Sequence, residues 1–171
     1  MASGLIDNWM QAHGDAAYDA GGATAAQGQV DEARLAAMMA DPWFAAPPPK
    51  SIDREAFTIS PVEGLPLADG AATLTAFSAQ AVARGVDHLP ERPARIYVAG
   101  GGRHNATLMA MLAARTGADV RSVDELGWDG DALEAQGFAY MAVRHLNGLP
   151  ISFPGTTGAP EPMTGGVLFQ P

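Results

Sequence analysis

No cysteine occurs in these 171 residues. That excludes disulfide bridges and thiolate zinc sites, and it suits a reducing compartment. Basic residues are scarce as well: 10 lysines and arginines stand against 19 aspartates and glutamates, for a net charge of −9. Nucleic acid or an anionic membrane surface would need a basic footprint, so neither is an expected partner. Long apolar runs are lacking too, and no segment reaches membrane-spanning length. The chain does not open on a basic stretch followed by an apolar one, as a secretion signal would. We therefore expect a cytoplasmic protein. The nucleophile pattern Gly-x-Ser-x-Gly is missing. His13, His88, His104 and His145 share no metal-ligand spacing.

What is present is a globular composition, 47% hydrophobic and 17% charged. The length suits one domain spanning 1–171. It reads as a helical part at about 1–90, then a strand–glycine turn–helix–strand–helix part at about 91–171. Leu5, Ile6, Trp9 and Met10 share one helical face. "DAAYDAGGATAAQGQV" has no clear period and reads as a loop with short helical turns. Asp31 is placed to cap a helix that Asp41-Pro42 ends.

A long helix is predicted from about Pro66 to Arg84, carrying Leu74, Phe77, Ala81 and Val82. "ARIYVAG" reads as a short buried strand, and "NATLMAMLAARTG" as a helix closed by Gly117. "ADVRSVDEL" is a second strand, "DGDALEAQGFAYMAVRHLNG" a helix ended by Asn147-Gly148, and the remaining tail coil. The class is α/β, rich in helix, with a small parallel sheet. So few strands leave sheet edges exposed.

The turn of Gly100, Gly101 and Gly102 between strand and helix is the most telling feature. Glycine lets a ligand lie against backbone and reaches dihedrals closed to other residues. The N–H groups opening the next helix favour an anion or a polar ring edge. Spacing alone also allows a tight turn without a ligand. A dinucleotide site is a rival, because Gly100-x-Gly102 is half of its fingerprint and Asp124 stands where a ribose-binding acid would. The third glycine of that fingerprint is Asn105 here.

Asp131-x-x-Glu134 matches a capping box, with Glu134 folding back on the helix start. The alternative puts Glu134 at a cleft, accepting hydrogen bonds from sugar hydroxyls. Lys50, Ser51, Arg54 and Glu55 follow a rigid proline run and read as a solvated Lys/Arg/Glu network.

Four segments, in order, resemble the anhydro-N-acetylmuramic acid kinases. They are "YDAGGATAAQGQVDEARLAAMMADPWFAAPPPKSIDREAF", "YVAGGGRHNATLMAMLA", "DELGWDGDALEAQGFAYMAVRHLNGLP" and "PGTTGAPEPMTGGVLFQP". The similarity runs from about Leu5 to the C-terminus. It implies part of an actin-like ATPase fold, related to ribonuclease H. It also implies an enzyme that hydrolyses the anhydro ring of 1,6-anhydro-N-acetylmuramic acid and phosphorylates its 6-hydroxyl, with ATP and Mg²⁺, in cell-wall recycling. Gly100, Gly101 and Gly102 would lie against adenosine, with Arg103 and Asn105 near the ring or ribose, and Glu134 would serve the sugar.

The resemblance also implies an N-terminal domain that carries both phosphate loops and the aspartate that activates water. The matching residues of that domain would lie upstream of Met1, so the chain alone is expected to be inactive. "KSIDRE" departs from the family's more usual Lys-Ser-Thr-Gly-Arg-Glu. With that domain gone, the apolar face of "LIDNWM" and the sheet edges would be uncovered, and self-association, such as a homodimer, is expected. A non-catalytic binding or interaction domain is the alternative from a different class.

Overall fold

A computed structural model describes residues 3–169. Met1 and Ala2, at the chain's opening, and Gln170 and Pro171, at the end of the predicted coil, lie outside the described residues, as does the side chain of Arg54. The elements are α1 (Gly4–His13), α2 (Glu32–Met39), α3 (Leu67–Val86), β1 (Arg95–Val98), α4 (Ala106–Thr116), β2 (Asp119–Ser122), α5 (Leu133–Leu146) and α6 (Pro154–Thr157). Single 3₁₀ turns link several of them. The fold is helix-rich α/β with a two-stranded parallel sheet, as the sequence implied.

α3 is the axis of the molecule. Its sequence is mostly small and apolar on every face, the pattern of a helix buried all round. Residues Gly70 through Phe77 are buried, and α1, α2 and α4 all pack against the helix. The threonines inside it are satisfied. Thr75 donates to the Ala71 carbonyl at 2.7 Å. Thr73 donates to the Asp69 carbonyl at 2.8 Å and accepts from the Asp31 N–H at 3.0 Å. Asp31 in turn caps α2, accepting from the Arg34 N–H at 3.0 Å. One threonine thus fixes the entry of α2 onto α3.

The expectation that the apolar face of α1 stays uncovered is corrected. Ile6, Trp9 and Met10 are buried, Trp9 at 1% exposure, because α3 offers a glycine where the indole arrives. A Cβ on Gly70 would stand 2.3 Å from the Trp9 ring. The indole N–H donates to the Leu67 carbonyl at 2.9 Å.

The bare apolar surface lies elsewhere, on α5. It has no buried residue, and Phe138 (63% exposed), Tyr140, Val143 and Leu146 face solvent.

β1 and β2 pair in parallel from Arg95↔Asp119 to Val98↔Ser122. The expectation that β1 is buried fails on one face: exposed and half-buried residues alternate along both strands. α4 covers the face carrying Val98 and Val120 through Leu108 and Leu112. No further strand pairs with either among the described residues.

Two local expectations also change. Lys50 joins no charge network among the described residues. Its ammonium donates to the carbonyls of Trp43 and Phe44, at 2.7 and 3.1 Å, and sits 4.4 Å from the Trp43 ring centre. The tail is not all coil, since α6 forms there with Pro154 at its start and Gly158 in the left-handed region at its end. Ser152 bridges Met163 beside it.

Candidate functional site

Seven residues, Ala99–Asn105, connect β1 to α4. Gly100 adopts φ 74° and ψ −177°, a region essentially reserved for glycine. Gly101–His104 then form one 3₁₀ turn. Asn105 is 7% exposed and caps α4, its side-chain oxygen accepting from the Leu108 N–H at 2.8 Å. A Cβ on Gly100 or Gly101 would meet no atom within 4 Å. The turn therefore presents bare backbone to open space.

That space is a cleft of about 580 Å³. Gly101, Gly102 and Asn105 form one wall, α1 supplies Asp7 and Gln11, and Tyr18–Gly21 form the opposite wall. The second wall is seated on α4. Gly22 has φ 76°, and a Cβ there would lie 2.1 Å from the Asn105 side-chain oxygen. The Thr107 hydroxyl donates to the Gly22 carbonyl at 2.7 Å. Asp19, buried, accepts from the N–H groups of Thr24 and Ala25 at 2.8 and 2.9 Å, which sets the loop's shape.

The sequence reading missed this wall. Its signal was the Gly21-Gly22 pair inside a stretch with no period.

The chemistry of the lining is selective. No lysine or arginine reaches the cleft among the described residues, while Asp7 and Asp19 do. His104 lines the cleft as well, and the cleft's size suits a nucleoside. No cluster of three or more His, Asp or Glu suited to a metal occurs among the described residues.

The other predicted site residues fall around the cleft. Gly100 shapes the turn. Arg103 does not line the cleft, and its side chain is 5% exposed. Its Nε donates to Asp124 at 2.8 Å, and its two terminal nitrogens fork onto Asp131 at 2.6 and 2.7 Å. One of them also donates to the Gly100 carbonyl at 3.0 Å.

The capping box is thereby corrected. Asp131 goes to Arg103, and Asp129 accepts the N–H groups of Asp131 and Ala132 instead, at 3.0 and 3.1 Å. Asp124 is not a free ribose-binding acid either, since Ser122, Arg103 and the Gly130 N–H all bond to it. Glu134 is exposed in the first turn of α5 and does not line the cleft.

Those partners hold the Asp124 carboxyl down to about 2, the Ser122 hydroxyl first, then Arg103 and the Gly130 N–H. Arg103 likewise keeps Asp131 below the usual carboxylate range. A carboxyl depressed on folding stabilises the native state above its unfolded pKa. The contribution is complete above about pH 4 and is lost as pH falls through about 2. We expect the Gly130 amide, which donates to Asp124, to lose protection from exchange across that window, as followed by NMR. Unchanged protection down to pH 2 would contradict it.

One protein family, described as anhydro-N-acetylmuramic acid kinase, matches the chain over residues 2–171. A curated relative of that name from Rhizorhabdus wittichii is 60% identical over 170 residues, covering 99% of this chain and 47% of the relative. Another, from Acidiphilium cryptum, is 53% identical over 172 residues, covering 99% and 48%. A third, from Zymomonas mobilis, is 50% identical over 165 residues, covering 96% and 45%. The chain spans about half the length of the curated relatives it matches.

Proposed function

The chain belongs to the anhydro-N-acetylmuramic acid kinase family, and from that premise we propose that it supplies the nucleoside-binding half of a cytoplasmic, ATP-dependent sugar kinase. The reaction opens the anhydro ring of 1,6-anhydro-N-acetylmuramic acid with water and phosphorylates the 6-hydroxyl. The observation that carries this reading is the bare backbone of Gly101 and Gly102 lining a cleft of nucleoside size.

Adenosine lies in that cleft, against the glycine turn and facing Tyr18–Gly21. The triphosphate leads away from it, because no lysine or arginine lines the cleft among the described residues. Mg²⁺ travels with the phosphates. Glu134, at the start of α5, accepts hydrogen bonds from the sugar. Phosphoryl transfer depends on positioning and preorganised charge. The phosphate cradles and the water-activating aspartate belong to the other half of the family's polypeptide, so these 171 residues bind without turning over.

Calorimetric titration with adenosine and with ATP plus Mg²⁺ tests this. Both should bind, with affinities within about tenfold of each other, a difference of about 1.4 kcal/mol. ATP should not be consumed. Silence from both ligands, or turnover by the chain alone, would overturn the reading.

The bare face of α5 gives the chain a surface on which to self-associate. Light scattering should show the apparent mass rising with concentration. Phe138→Glu combined with Val143→Glu should return the chain to monomer, and a monomer at every concentration before substitution would refute it.

A further inference from the structure

α5 is weakly anchored, with only Leu133 and Met141 of its apolar side chains half-buried. It is 14 residues long with none of them buried, and an isolated helix of that length is marginal in water. Its N-terminal approach is nevertheless fixed by polar contacts that converge on the glycine turn. The Gly100 N–H donates to the Gly130 carbonyl at 2.8 Å. The Gly130 N–H donates to Asp124 at 3.0 Å. Arg103 spans the gap, donating to Gly100 on the turn, to Asp124 just after β2 and, through both terminal nitrogens, to Asp131 just before α5. Few side chains other than arginine could do this: a lysine ammonium lacks the planar fork that grips a carboxylate at two points.

The chain is shaped around this guanidinium. A Cβ on Gly130 would stand 2.5 Å from the Arg103 Nε. Gly130 has no positive φ, so it is the close approach of Arg103 that requires glycine there. The guanidinium is almost wholly covered, whereas its two carboxylate partners are about half exposed or more. His104 also faces Asp131, at 3.9 Å.

We propose that Arg103 is a positioning residue that locks the Gly100–Gly102 turn and the start of α5 into one unit, so that a nucleoside on the turn fixes where Glu134 stands. The lock rests on the geometry alone. Its service to the sugar site rests on the nucleoside reading above. Binding order follows from it: a nucleoside that stiffens the turn also stiffens the element that carries Glu134, three residues beyond Asp131.

Hydrogen–deuterium exchange on the full chain, resolved by peptide, separates the two. Without ligand, Arg103→Ala should speed exchange at 100–105 and at 131–137 together, by about tenfold or more for the loss of several charge-assisted bonds. Peptides from α1 and α3 should keep their protection. Adenosine should slow exchange in both segments of the unsubstituted chain and only in the turn of Arg103→Ala.

An α5 start that exchanges no faster in Arg103→Ala overturns the lock. Equal protection of α5 by adenosine with and without Arg103 overturns the coupling. Adenosine that protects neither segment of the unsubstituted chain defeats the nucleoside reading, while the ligand-free comparison still decides the lock. If Arg103→Ala loosens α3 as well, Asp131→Ala decides, because it removes only the partner on the α5 side. Wild-type exchange at 131–137 in that variant would overturn the proposal.

Discussion

Replacing Trp9 with alanine is expected to cost about 3–5 kcal/mol, the range for deleting a large aromatic side chain from a packed core. For a chain of this size, thermal denaturation should fall by roughly 6–20 °C. The indole is buried against α3 and rests in a hollow that exists only because residue 70 is glycine. Its N–H is bonded to the Leu67 carbonyl, which would be left without that partner. Phe138→Ala, at a site 63% exposed, should change stability by no more than about 0.5 kcal/mol. A large loss at Phe138 with little at Trp9 would mean that α5, not α1, carries the core.

That contrast marks how far the sequence could be read. Periodicity identified the apolar face of α1 correctly, yet a period says which face is apolar and not what covers it. The cover came from α3, 58 residues away through the Trp9–Leu67 bond. The glycine that admits Trp9 looks like any other small residue in an alanine-rich helix. Local signals held where the physics is local. Asp31 caps α2 through the Arg34 N–H, and Gly117 ends α4 with φ 73°.

They failed where a distant charge outbid a neighbour. Asp131 fits a capping box by spacing, but Arg103, 28 residues away, offers it two charge-assisted bonds in place of one backbone N–H. The glycine turn was legible because it stands between a strand and a helix. The other wall was not, since Ala20–Gly22 form only a single 3₁₀ turn, too short for a period to announce it.

Replacing Gly101 with valine should separate the two roles a bare turn can have. Gly101 carries no positive φ, and a Cβ there meets nothing within 4 Å, so the protein has room for the first carbon of the side chain. Stability should stay within about 0.5 kcal/mol of the original, and exchange protection in α3 and α4 should be unaltered. A nucleoside lying on this backbone must approach to about 3.5–4.0 Å. The valine carbons would occupy that layer of the cleft.

Adenosine affinity should therefore drop by at least about tenfold, or 1.4 kcal/mol, in a variant that is otherwise intact. Gly100→Val cannot make the same distinction. Its φ of 74° with ψ −177° would strain any side chain, so loss of binding there would be confounded with a distorted turn. Glu134→Ala supplies the complementary control, because Glu134 does not line the cleft and its removal should leave adenosine affinity unchanged. If Gly101→Val binds adenosine as well as the original chain does, the nucleoside lies elsewhere and the turn is bare only for the sake of the chain reversal.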